Sequence, residues 1–184
     1  MDRRCALARV SVSRWAGCEM ECHLGATAVE VNVEDPARPR AQQCLREYFA
    51  ELDRRFDSGY DPAAALPCEL DDMRPPAGIF LVATMGDEAV GCGALKFHAG
   101  GPAELKRMWV SPRVRGAGIG RRLLGELESH AVEGGSDAIR LDTNHVLTEA
   151  IALYRSAGYL PVAPFNNDPY ADNWFEKPLS RRRR

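Results

Sequence analysis

The chain has 184 residues, 45% apolar and 27% charged, the size and make-up of one domain with its own hydrophobic core. This excludes a disordered, collagenous or disulfide-scaffold chain, and no apolar run approaches the roughly 20 residues of a membrane span. The formal net charge of −2 includes four arginines at Arg181–Arg184, so the body is more acidic still, which argues against general nucleic-acid binding.

Residues 1–25 keep no period of either kind and are expected to form a flexible extension. From there Val29, Val31 and Val33 alternate with Glu30, Asn32 and Glu34, the pattern of a half-buried strand that Asp35-Pro36 ends. Leu45, Tyr48, Phe49, Leu52 and Phe56 follow helical spacing, which predicts an amphipathic helix over 38–56. A Pro-rich stretch to Pro76 reads as loop with room for one short helix. Ile79–Val82 and Ala89–Phe97 flank Gly86-Asp87 and predict a hairpin. A further strand is expected over Ala103–Val110, stopped by Pro112. Ile119, Leu123, Leu124, Leu127 and Ala131 mark the next helix, closed by Gly134-Gly135. Ala138–Leu141 reads as a buried strand, and Leu147, Ala150, Ile151 and Tyr154 as a second helix ending at Gly158. Strands near 159–164 and 173–178 finish the chain. The order β-α-β-β-β-α-β-α-β-β predicts an α/β domain, a mixed sheet with helices against it.

The segment Arg115-Gly116-Ala117-Gly118-Ile119-Gly120 carries the most chemistry. Alternate glycines let the backbone approach a ligand and present its N–H groups. The helix that follows adds unpaired N–H groups and the positive end of its dipole. Arg115, Arg121 and Arg122 supply cations, so strand, loop and helix start together suit a pyrophosphate. A Walker A loop fails because Gly120 is followed by Arg121-Arg122. A dinucleotide fingerprint is weakened by the G-x-G-x-G spacing, although Asp142 ends the next strand, and weakened further because the preceding strand carries Glu104, Lys106 and Arg107.

Arg115-x-x-Gly118-x-Gly120 after Val110-Ser111-Pro112 resembles the first signature of the GNAT acetyltransferases. Ala150-x-x-x-Tyr154-x-x-x-Gly158-Tyr159 looks like the family's second signature, and Trp174–Leu179 like its last strand. The resemblance runs from about Thr27 to Leu179. It implies the GNAT fold, a mostly antiparallel central sheet with flanking helices, with residues 26–180 as the acetyltransferase domain and 181–184 as a basic tail.

The resemblance further implies acetyl-CoA as co-substrate. Arg115, Gly116, Ala117, Gly118, Ile119, Gly120 and Arg121 would hold the pyrophosphate, and the backbone of Met108 and Val110 the pantetheine arm. A backbone N–H near Val110 would stabilise the developing oxyanion. Tyr154 would be the general acid for the leaving thiolate, and Glu104 the general base or a substrate-orienting carboxylate. Where many members carry Asn this chain has Leu147; Asn144, three residues earlier, is the candidate substitute. A non-catalytic acetyl-CoA sensor of the same fold is the alternative, and a homodimer is compatible with the resemblance.

Residues 47–72 hold eight carboxylates against Arg54 and Arg55. This is either a wall that attracts a cationic amine acceptor, a small molecule or peptide amine, or a solvated helix face with acidic loops. The six cysteines are expected to be reduced thiols in a cytoplasmic protein, since no secretory signal is read at the N-terminus. Cys18, Cys22 and His23 lie close together without a second ligand pair, so no metal, no nucleic acid and no membrane is expected.

Overall fold

A computed structural model describes residues 28–180. The extension at 1–25, with Cys5, Cys18, Cys22 and His23, and the Arg181–Arg184 tail lie outside the described residues. The elements run β1 (Val29–Val33), α1 (Pro39–Arg55), β2 (Gly78–Met85), β3 (Glu88–Lys96), β4 (Ala103–Val110), α2 (Ile119–Glu133), β5 (Ala138–Thr143), α3 (Thr148–Ser156), β6 (Leu160–Pro161) and β7 (Asn173–Pro178). One helical turn, Asp71–Met73, interrupts the Pro-rich loop.

The strands form one seven-stranded sheet in the order β1-β2-β3-β4-β5-β7-β6. Every neighbouring pair is antiparallel except β4 and β5, which α2 connects as a parallel crossover. This is the mixed, mostly antiparallel sheet expected from the element order. The strand expected over 159–164 shrinks to Leu160–Pro161. Pro161 and Pro164 lack an N–H, so the ladder ends after Val162 donates to the Trp174 carbonyl at 3.0 Å.

Both faces of the sheet are covered. On one, Leu123, Leu124, Leu127 and Ala131 of α2 pack with Leu81, Leu105, Ile139, Leu141, Tyr159 and Phe175. These α2 positions are spaced three and four apart, so the sequence puts them on one helix stripe. On the other face Ala41, Cys44 and Leu45 of α1 meet Phe80, Val82, Cys92 and Trp109. Pro39 starts α1 where a missing N–H costs nothing.

Two irregularities shape β4. Cys92 pairs with Trp109 and Ala94 with Lys106, so Arg107 and Met108 together oppose Gly93 in a bulge. Arg107 takes a left-handed φ of 55° there, the one described non-glycine residue to do so. On its other edge β4 meets β5 only at Ala103–Ile139 and Glu104–Arg140. Beyond Glu104 the two strands diverge, while β5 stays paired with β7 along its whole length. The result is a wedge open at the C-terminal half of β4.

Candidate active site

Two adjoining cavities occupy this wedge. The larger, about 400 Å³, runs from Met108 and Val110 past the glycine loop to Leu153 of α3. The smaller, about 80 Å³, lies towards Tyr154, Tyr60 and Tyr170. Tyr48, Leu52, Met108, Leu147 and Ala150 line both, so these side chains form their common wall.

The glycine loop forms one end of the larger cavity. Gly116 and Gly118 have φ of 83° and 81°, and a Cβ at either would touch nothing within 4 Å. Glycine is therefore required there by backbone conformation and not by space. Gly120 differs: a Cβ there would lie 3.1 Å from Leu153 Cδ2, a tight approach to which the end of that side chain must yield. The first helical bond of α2 runs from the Arg122 N–H to the Gly118 carbonyl at 3.0 Å. The N–H groups of Ile119, Gly120 and Arg121 are thus the unpaired donors of the first turn. Gly116, Ala117 and Gly118 are exposed. An anion can approach this loop through its amides.

The arginines around the loop are placed differently from expectation. Arg115 Nη2 donates to both oxygens of Glu51, at 2.7 and 2.5 Å, and its Nε donates to the Val110 carbonyl at 3.0 Å. Its guanidinium therefore fastens the loop to α1, and the Val110 carbonyl is already occupied. Arg121 donates to Ser156 Oγ at 2.7 Å, and Arg122 to the Val29 carbonyl.

Glu51 is the hub that the sequence did not reveal. It reads as one of eight acidic residues, yet it is buried and accepts from Trp109 Nε1 at 2.9 Å and Arg55 Nη1 at 3.2 Å as well as from Arg115. Arg55 goes on to donate to the Val146 carbonyl at 2.6 Å and Glu149 at 2.8 Å, which ties α1 to the start of α3 across the cavity. Burial pushes the Glu51 carboxyl up, but Arg115, Trp109 and Arg55 together hold it below the usual carboxylate range. Of the acidic run at 47–72, Glu51 alone lines either cavity. Asp53, Asp61, Asp71 and Asp72 are engaged locally with backbone amides, Arg74 or Lys96. The acidic wall does not face the site.

Tyr154 is 5% exposed and lines the smaller cavity, beside Met108 and the common wall. Burial raises its phenol well above the ordinary value, with smaller contributions from Tyr48 and Asp142. It stays protonated throughout the physiological range.

Glu104 is not brought to this place. It lines neither cavity, and its oxygens take His98 Nε2 at 2.9 Å and Lys106 Nζ at 2.8 Å, with Arg140 at 3.8 Å. Burial raises its carboxyl, but Lys106, His98 and Arg140 outweigh this and lower it. A carboxylate held this way by Lys106, His98 and Arg140 is a poor proton acceptor. Asn144 lines the smaller cavity, yet its amide donates to the Tyr170 carbonyl at 2.8 Å and accepts from the Val146 N–H at 3.1 Å. It braces the β5–α3 loop and is not a free ligand group. His145 pairs with Asp172 at the surface.

No helix among the described residues is long and apolar enough to cross a membrane, and no group of three or more His, Cys, Asp or Glu there is arranged to hold a metal ion.

Comparison with known proteins agrees with this geometry. The Acetyltransferase (GNAT) family matches residues 23–159. An IAA acetyltransferase from Azospirillum brasilense is 37% identical over 142 residues, 75% of this chain and 92% of that protein. The crystal structure of an acyl-CoA N-acyltransferase from Klebsiella pneumoniae superposes with a TM-score of 0.66 at 28% identity, covering 84% of this chain and 99% of the other. An aminoglycoside 6'-N-acetyltransferase complexed with coenzyme A shares the fold, with a TM-score of 0.63 at 21% identity over 84% of this chain and 99% of that one.

Proposed function

The chain belongs to the GNAT acetyltransferase family, an acetyl-CoA-dependent enzyme class, and from that premise we propose that residues 26–180 move the acetyl group to a primary amine by direct attack in a ternary complex. The observation that carries this reading is the wedge between β4 and β5, with the glycine loop at one end and a second cavity across Met108. One cavity suits the co-substrate and the other the acceptor, and their common wall is where the two reacting atoms meet.

The amides of the loop from Gly116 to Arg121, with those of Ile119, Gly120 and Arg121 unpaired, hold the pyrophosphate, and the dipole of α2 lies behind them. Beyond Glu104 the edge of β4 has no strand partner, so an extended amide-bearing arm can pair with its backbone near Met108. A backbone N–H in the bulged end of β4 stabilises the oxyanion. The amine nitrogen bonds to the acyl carbon and the carbon–sulfur bond breaks. The leaving sulfur takes the Tyr154 hydroxyl proton, which water replaces, and the proton lost by the amine passes to water. Burial disfavours a free thiolate and a phenolate alike, so the charge leaves the cavity only as water re-protonates the Tyr154 oxygen in step with the transfer. No covalent acetyl-enzyme is needed, so Cys44, Cys68 and Cys92 take no part.

The deciding experiment follows free thiol release from acetyl-CoA across a broad panel of amines. Transfer to at least one amine class supports the proposal. Calorimetric binding of acetyl-CoA with no release across the panel identifies a sensor module, and absence of binding overturns the site itself.

A further inference from the structure

Arg107 is an arginine without an acid. It sits in the β4 bulge at a φ of 55°, is half-buried, and lines the smaller cavity. Its guanidinium lies 5.1 Å from the Phe49 ring centre and 5.9 Å from that of Tyr48. Among the described residues no carboxylate forms an ion pair with it; its electrostatic neighbours are Tyr48, Tyr60 and Cys68. A half-buried cation is costly unless something of opposite charge meets it.

The other charges of the cavity are already committed. Lys106 Nζ meets Asp142 Oδ1 and Glu104 Oε1, both at 2.8 Å. Asp142 also accepts from Asn166 Nδ2 at 3.0 Å. Asp168 accepts the backbone N–H groups of Leu66 at 3.2 Å and Tyr170 at 2.9 Å. Arg107 is therefore the one cation lining this cavity that forms no ion pair with a carboxylate among the described residues, while Asp168, its counterpart in sign, is taken up by backbone N–H groups. Burial raises the hydroxyls of Tyr48, to about 12, and Tyr60, so both remain neutral O–H donors beside Arg107. A left-handed arginine in a strand is a strained choice, of the kind that persists where surrounding structure enforces it and function uses it.

Building on the transfer reading above, we propose that Arg107, with the Tyr48 and Tyr60 hydroxyls, seats a carboxylate of the acceptor. The substrate class is then a small amino acid, whose amine is directed back towards Met108 while its acid is held by Arg107. The acidic run at 47–72 suggests a purely cationic amine from the sequence, but only Glu51 of that run reaches a cavity, and it is neutralised by Arg115 and Arg55.

The test uses matched acceptors: amino acids beside their amides, the decarboxylated amines, and the aminophosphonates. The acids should exceed their amides in kcat/KM by roughly 10- to 100-fold, the worth of a charge-assisted hydrogen bond. Arg107→Gln should collapse that ratio towards one, and Arg107→Lys should keep part of it. A merely structural role would instead lower both members of each pair alike. Aminophosphonates accepted as well as carboxylates would widen the seat to anions generally and overturn the carboxylate assignment. Equal turnover of acid and amide, or an acid preference that survives Arg107→Gln, overturns the proposal. Calorimetry of acids and amides on the coenzyme A-loaded protein gives a readout apart from turnover. Acid-selective binding lost in Arg107→Gln supports the seat even where no thiol is released, in which case the transfer reading alone fails. No acid-selective binding overturns the seat.

Discussion

Arg115 Nη2 lies 2.5 Å from Glu51 Oε2, and the same guanidinium donates through Nε to the Val110 carbonyl at 3.0 Å. One side chain thereby fixes the glycine loop to α1 and to the end of β4. Glu51→Ala leaves Arg115 and the Trp109 indole N–H without their acceptor. It should cost about 2–3 kcal/mol of stability and raise the KM for acetyl-CoA, measured by denaturant unfolding and steady-state kinetics.

The same pair makes stability depend on pH. The folded-state value of Glu51 is lowered, so its contribution is complete above the unfolded carboxylate value, about 4.3, and is lost as pH falls through the folded value. The gap in Tm between the wild type and Glu51→Gln should therefore be widest near neutrality and close in acid. A gap that does not narrow below about pH 4 would contradict this linkage.

Tyr154→Phe removes the proposed proton donor while keeping the ring packed against Tyr159 and Phe175. We expect kcat to fall by about 10- to 100-fold with little change in the KM for acetyl-CoA. Because the phenol is raised above its ordinary value of about 10, the wild-type rate should show no alkaline loss from this group up to about pH 9. Unchanged kcat in the variant would remove Tyr154 from the chemistry.

Glu104→Gln should leave the acidic limb of the pH–rate profile where it is. The carboxylate is held by Lys106 and His98 and lines neither cavity. Displacement of that limb in the variant would return Glu104 to the role of base.

Gly118→Val and Gly120→Val probe different requirements. At Gly118 the cost is the left-handed backbone, about 1–2 kcal/mol, and Gly118→Asn should be tolerated better. At Gly120 the obstacle is Leu153, 3.1 Å from the added Cβ, so Leu153→Ala should recover part of the loss. Both valine variants should bind acetyl-CoA more weakly by calorimetry. Rescue of Gly118→Val by Leu153→Ala would contradict the assignment.

The sequence made the framework readable because periodicity and punctuation agree. α1, β4 and α2 lie within a residue or two of their expected spans, as apolar spacing, Pro112 and Gly134-Gly135 leave few alternatives. The glycine loop was equally legible, since its φ requirement is written in residue type. The hub at Glu51 was not: a carboxylate that meets an arginine 64 positions away looks locally like any other on an acidic helix. Arg107 was hidden for a related reason. Its importance lies in the absence of a counter-charge, and only three-dimensional placement shows which acids are already taken. Leu160–Pro161 shows the opposite failure, an apolar pattern overruled by prolines that cannot donate.

The divergence of β4 from β5 leaves the free enzyme with a missing rung in its ladder. On the proposed reading, a visiting co-substrate supplies that rung as a temporary strand, and the sheet would be most complete when charged for reaction. Amide deuteration of Leu105 to Val110 would register that occupancy directly, slowing on loading and quickening again on release.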